Sequence, residues 1–196
     1  ARVIGEYGHV GLLKDWRRDA VTAASEFVIA MDALWSDWEG AGKPMACTIG
    51  QFSTDPELHA MTKVPGELRF TLDVRAYDLA HLEELEAKTM AIIRSIEKRR
   101  GVRFDLGHTA RAAVGEMAPA ICDGFDAIAR SLEIPVRRLG SPASHDSAAF
   151  AAAGVPTAMI FVRNANGSHN PAEAMTIDDF LQATAIMTAW IADGAQ

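Results

Sequence analysis

The stretch Glu67-Leu68-Arg69-Phe70-Thr71-Leu72-Asp73-Val74-Arg75-Ala76 decides the first half of the fold. Leu68, Phe70, Leu72 and Val74 fall on one face, and Glu67, Arg69, Thr71, Asp73 and Arg75 fall on the other. Strict alternation of this kind marks a strand with one buried and one solvated face. Pro65-Gly66 closes the loop before it, a loop read over residues 53–66. Upstream, Met45 to Phe52 reads as a strand, after a helical pattern from Arg17 to Glu39. In that pattern Ala20, Ala23, Ala24, Phe27, Met31, Leu34, Trp35 and Trp38 recur at three- and four-residue spacing. Gly40-Ala41-Gly42-Lys43-Pro44 stops it. Residues 2–8 read as the first strand. Downstream, Leu79 to Arg100 repeats the helical period, Gly101 supplies a C-cap glycine, and Val102 to His108 is a further strand. The order is β-α-β-β-α-β, the split βαβ or ferredoxin-like arrangement, an antiparallel sheet with two helices on one face.

After Arg111-Ala112-Ala113-Val114-Gly115 the character changes. A helix is expected from Pro119 to Leu132 and a short strand from Pro135 to Leu139. Ser141 to Asp146 forms a loop before a helix that runs to Gly154. A buried strand follows at 157–162, and a last helix from about Ile177 to Ala192. This is α/β patterning, so the fold class is α+β followed by α/β. Domains are expected at 1–111 and 112–196. Two strands do not make a self-sufficient parallel sheet, so the second domain reads as the C-terminal part of a larger one. The chain also opens on Ala-Arg-Val-Ile-Gly-Glu-Tyr, in mid-strand. Both features lead us to expect a piece of a longer protein.

Composition narrows the functional classes. The chain of 196 residues is 49% hydrophobic and 23% charged, enough for a sizeable core. Its net charge is −7 with no dense basic run, which argues against a nucleic-acid partner. No apolar run is long enough to span a membrane. The cysteines Cys47 and Cys122 lie far apart in apolar surroundings. They read as buried thiols in a reducing, cytoplasmic setting.

Four sites carry possible chemistry. His9 lies between glycines at a strand end. Arg75 is on the polar face of its strand. His145-Asp146 begins a helix. His169 sits past Asn166-Gly167, on a turn at the carboxyl end of the strand at 157–162, where a fixed imidazole could bind a metal. Each also has a plain structural reading: His9 as a loop residue, Arg75 as a solvated strand residue, Asp146 as a carboxylate that suits the helix dipole, and His169 as an idle turn histidine. No H-E-x-x-H or paired C-x-x-C signature is present.

Five motifs in register resemble the hydantoinase/carbamoylase group of two-metal amidohydrolases. These are Gly5-Glu6-Tyr7-Gly8-His9-Val10-Gly11 with Arg17-Arg18-Asp19-Ala20; Val64-Pro65-Gly66; Leu72-Asp73-Val74-Arg75; Ser144-His145-Asp146-Ser147; and Gly167-Ser168-His169-Asn170-Pro171-Ala172-Glu173. The group includes N-carbamoyl-L-amino-acid hydrolase, β-ureidopropionase and allantoate amidohydrolase, and is related to aminoacylases and exopeptidases. The resemblance implies that residues 1–111 are a lid that dimerises, and that 112–196 belong to the catalytic domain. It implies His169 as a metal ligand, Arg75 as the partner of a substrate carboxylate and His145 as a substrate contact. His9 would be the lid histidine that polarises the scissile carbonyl in the partner's active site. It also implies zinc or manganese, two per active site in the full-length protein, which bind the attacking water.

Two departures bear on these expectations. The group's N-terminal half, with its other metal ligands and general base, has no counterpart here. By itself the chain is therefore expected to be metal-free and inactive. The group also usually has an asparagine before Val-Pro-Gly that binds substrate carboxylate, where Thr62-Lys63 stands here; His59 or Lys63 is an alternative donor. The runner-up is an aminoacylase- or dipeptidase-like hydrolase. A reading of another class is a non-catalytic dimerisation or binding module.

Overall fold

A computed structural model of the chain describes residues 1–141 and 143–194. Their contacts cluster into two units, one over Ala1–Ala110 with residues 140–141, the other over Arg111–Leu139 with residues 143–194.

The first unit contains, in order, β1 (Arg2–Ile4), β2 (Gly8–His9), a 3-10 turn at Lys14–Trp16, α1 (Ala20–Gly40), β3 (Met45–Thr48), β4 (Phe52–Ser53), β5 (Lys63–Val64), β6 (Glu67–Phe70), β7 (Asp73–Ala76), α2 (Leu79–Arg100) and β8 (Arg103–Asp105). Four strands pair in the order β4-β6-β1-β8, all antiparallel, with Val3 opposite both Leu68 and Phe104. β3 and β7 form a second antiparallel ribbon, and β2 and β5 a third. The alternating stretch 67–76 is thus one strand broken at Thr71-Leu72, where it passes from β1 and β4 to β3. Joined across that break, the elements follow the expected β-α-β-β-α-β order.

Local chemistry sets the helix ends. Asp19 caps α1, its carboxylate accepting from Thr22 N–H at 3.0 Å, and Asp78 caps α2 through His81 N–H at 2.7 Å. Gly101 closes α2 in the left-handed region (φ 64°), after a last turn rich in Lys98, Arg99 and Arg100. The core lies between the helices and the sheet. It contains Val3, Phe27, Met31, Leu68, Phe70, Ile93, Ile96 and Phe104. Phe27 packs against Phe70 and Phe104 with ring centres 5.7 and 5.6 Å apart.

Besides 67–76, two further expected strands are divided. The stretch 45–52 gives β3, paired with β7, and the start of β4, paired with β6. Residues 2–8 split into β1 and β2, which join different sheets. Gly5 causes the break: a Cβ there would lie 1.9 Å from the Arg18 carbonyl oxygen. Glu6 N–H donates to that oxygen at 2.8 Å instead of pairing within the sheet, while Gly5 N–H donates to Gly66 C=O at 2.8 Å. The loop read at 53–66 also contains β5, paired with the histidine-bearing β2.

The second unit contains α3 (Pro119–Ser131), α4 (Asp146–Ala152) and α5 (Ile177–Ala192). α3 and α5 pack together, with Phe125 edge-on to Trp190 at 5.3 Å. The strands expected at 135–139 and 157–162 are not formed. A strand exists only where a neighbour pairs with it, and among the described residues neither segment has such a neighbour. The anticipated burial at 157–162 is incomplete too, since Phe161 is 47% exposed. Cys47 and Cys122 are half-buried free thiols rather than fully buried ones. No helix among the described residues is long and apolar enough to cross a membrane.

Candidate functional site

In the first unit, His9 and Arg75 stand on separate ribbons. His9 lies opposite Lys63, and Arg75 lies opposite Ala46. Three stretches meet beneath His9. Gly5 and Gly66 permit close backbone approach, and a Cβ at Gly66 would lie 2.6 Å from Tyr7 N. Pro65 C=O accepts from Ala20 N–H at 3.0 Å, and Arg18 Nη1 pairs with Glu6 Oε1 at 2.5 Å. The motif residues around Gly5, Pro65-Gly66 and Arg18-Asp19 therefore form one backbone junction, and β2 leaves from it. The Lys63 ammonium lies 5.9 Å from the centre of the Tyr7 ring and donates to Leu58 C=O at 2.9 Å. His59 Nδ1 is hydrogen-bonded to Thr54 Oγ1 at 2.8 Å.

Arg75 projects from β7 beside Asp73, two residues earlier on the same face. Its Nε donates to Asp73 Oδ1 at 2.9 Å and its Nη2 to Asp73 Oδ2 at 2.6 Å. This two-pronged bond holds the Asp73 carboxyl below the usual carboxylate range, against the opposing effect of burial, and raises the guanidinium further. The sequence contains the signal for this pair, opposite charges at i and i+2 on a strand's polar face.

In the second unit, His145 is the N-cap residue of α4, and its ring stands 5.5 Å from that of Phe161. His169 sits at the tip of a closed loop. Ala165 and Ala174 exchange backbone hydrogen bonds (2.7 and 3.2 Å) that pinch the loop shut. Asn164 Nδ2 donates to Glu173 Oε1 at 2.8 Å, Asn166 Nδ2 to Ala172 C=O at 2.8 Å, and Ala172 N–H to Asn170 Oδ1 at 2.9 Å. Asn166, Gly167 and His169 all have positive φ (67°, 70° and 62°). For histidine this conformation is unfavourable, and it persists because the loop's polar side chains hold it. Arg163 ties the start of the loop to α5 through Asp179 at 2.7 Å. Asp179 also accepts from the Thr176 hydroxyl, chiefly for which its carboxyl lies below its ordinary range.

Among the described residues, no three His, Cys, Asp or Glu side chains converge as a metal centre requires. His169 alone does not make one, so the residues of this chain do not by themselves fit the two-metal group that the resemblance implies.

The family model for Peptidase family M20/M25/M40 matches residues 6–193. The chain belongs to this family. N-carbamoyl-L-amino-acid amidohydrolase from a Pseudomonas species is 28% identical over 95% of this chain and 44% of that protein. Allantoate amidohydrolase from Escherichia coli is 29% identical over 91% of this chain and 42% of that protein. Among solved structures, an amidase of the hydantoinase/carbamoylase family from Burkholderia multivorans superposes with a TM-score of 0.82 at 26% identity, covering 95% of this chain and 44% of that one. The aminopeptidase PepT from Bacillus cereus shares the fold alone, with a TM-score of 0.65 at 16% identity over 100% of this chain and 50% of that one. The chain thus spans under half the length of the curated relatives it matches.

Proposed function

We propose that the chain is the lid (1–111) and C-terminal catalytic segment (112–196) of a metal-dependent amidohydrolase. The whole protein would hydrolyse the amide or ureido C–N bond of an N-carbamoyl or ureido amino acid, rather than a peptide bond. What supports this reading is a single continuous likeness to a carbamoylase that runs through both units and spans 95% of the chain. Arg75 binds the substrate carboxylate, for which a planar guanidinium is suited. His145, at the start of α4, contacts the substrate. His9 donates a hydrogen bond to the scissile carbonyl of a second copy's substrate, stabilising the negative charge that develops on its oxygen. The enzyme is a cytoplasmic homodimer with no nucleic-acid or membrane partner. Zinc or manganese, two per active site, would be held mainly by residues beyond these 196, with His169 as one ligand. These 196 residues alone are inactive.

The deciding experiment is hydrolysis by the whole protein of N-carbamoyl amino acids and allantoate, set against N-acyl amino acids and dipeptides, with zinc or manganese supplied. Release of ammonia from the ureido substrates alone is the expected result. Preferential cleavage of dipeptides would replace this reading with the peptidase-like one, and no hydrolysis of any of them would favour a non-catalytic module.

A further inference from the structure

The loop that carries His9 is held more firmly than its exposed position requires. Gly11 N–H donates to His9 Nδ1 at 3.1 Å, and Leu12 N–H donates to His9 C=O at 2.9 Å. Arg17 reaches back over the turn: its Nε donates to Leu12 C=O at 2.8 Å, and its Nη2 donates to Val10 C=O. Val10 N–H is in turn bound to Thr62 C=O at 2.9 Å. The two carbonyls gripped by Arg17 flank Gly11, whose amide addresses the imidazole. There is little spare room at that point, because a Cβ on Gly11 would lie 3.2 Å from His9 Nδ1.

An imidazole nitrogen that accepts a hydrogen bond carries no proton, so the single proton of the neutral ring lies on Nε2. Turning the ring over would set Cδ2–H against the Gly11 amide and forfeit the bond. We propose that Arg17 is a positioning residue for His9. Its guanidinium fork fixes the 10–12 backbone so that the Gly11 amide locks the ring as an Nε2–H donor. This rests on the proposed role of His9 and narrows it. The Nδ1 lone pair is already engaged, so His9 acts by donating a hydrogen bond to a carbonyl or oxyanion, and not as a base or metal ligand through Nδ1. A lysine at 17 keeps the charge but lacks the planar fork that spans two carbonyls.

Long-range proton–nitrogen NMR of the 196-residue chain, above the pH at which histidine titrates, reads the ring directly. The His9 signals of the unaltered chain are expected to show the Nε2–H form. Arg17→Ala and Arg17→Lys are both expected to shift them toward a tautomer average, with the core signals of Val3 and Phe104 unmoved. An Nδ1–H or averaged ring in the unaltered chain overturns the proposal. So does a wild-type ring pattern in Arg17→Lys, the variant that retains the charge and the stem. In the whole enzyme, Arg17→Ala is expected to lower kcat about 10–100-fold at unchanged KM; a rise in KM alone, with kcat unchanged, would contradict positioning of a group that acts on the reacting carbonyl. A locked ring that Arg17→Ala releases, in a protein that hydrolyses no ureido substrate, would support the assignment of the ring and count only against the proposed function.

Discussion

Asp73 and Arg75, two residues apart on one face of β7, are joined by two parallel hydrogen bonds of 2.9 and 2.6 Å. The pair orients the guanidinium plane before any ligand arrives. Both side chains are more than a third exposed, so water screens the attraction. Asp73→Asn should therefore cost under about 1 kcal/mol in urea unfolding at neutral pH. Arg75→Lys should act differently. It is expected to raise KM for a carboxylate substrate about 10–100-fold in the whole enzyme, the consequence of losing a charge-assisted planar contact. An unchanged KM would remove Arg75 from the binding site.

Gly5, Gly66 and Gly40 separate crowding from backbone propensity. At Gly5 a Cβ would lie 1.9 Å from the Arg18 carbonyl oxygen, and at Gly66 it would lie 2.6 Å from Tyr7 N, whereas at Gly40 it would meet nothing within 4 Å. Backbone atoms cannot swing aside, so Gly5→Ala and Gly66→Ala should each lose about 1–3 kcal/mol or more. Gly40→Ala, in the last turn of α1, should be neutral or gain about 0.4–1 kcal/mol. Denaturant midpoints rank the three, and a tolerated Gly5→Ala would contradict the junction beneath His9.

Local signals were legible in the residues. Asp78 and Gly101 bracket α2 at the bounds read from periodicity, and the start and end of α5 agree with its pattern as well. The alternation through Leu68 and Phe70 marked the sheet's buried face. Non-local pairing was not legible in the same way. Whether Ala158 to Val162 becomes a strand depends on a neighbour, and among the described residues none pairs with it. The division at Gly5 depends on the Arg18 carbonyl, distant along the chain. At the candidate site, His9, Arg75, His145 and His169 stood out as residue types. Their settings did not: the Gly11 amide on the His9 ring and the pinched loop under His169 come from backbone geometry that composition does not reveal.

Glu26 joins α1 to α2 by accepting from Arg100 Nε at 2.8 Å and from Arg99. The Arg100 hydrogen bond leads in holding its carboxyl below the ordinary range; burial pushes the other way, and the Arg99 bond adds to the lowering. A carboxylate with a depressed folded pKa stabilises the protein above its unfolded value, about 4.3, and loses that contribution as the pH falls through the folded value. Glu26→Gln should thus lower stability by about 1 kcal/mol or less at pH 7. The gap between variant and unaltered chain should close as the pH drops below about 4. A gap that persists in acid would mean that packing, rather than charge, accounts for the loss.

Ile29 tests the proposed dimer. It lies on the outer face of α1, 70% exposed beside the exposed Val28, while Phe27 and Met31 on the inner face are buried. Within a single chain, replacing an exposed side chain changes stability by less than about 0.5 kcal/mol. Ile29→Asp should therefore leave the unfolding midpoint of a monomeric sample unchanged. If α1 packs against a second copy, the same change places a carboxylate in an apolar interface, which is costly without a partner charge. Sedimentation should then show dimer converting to monomer. Because His9 is proposed to serve the partner's substrate, hydrolysis by the whole enzyme should fall with the dimer fraction and recover at high protein concentration. A dimer unaffected by Ile29→Asp would move the interface off this face of α1, and full activity in a monomeric variant would exclude His9 from acting across it.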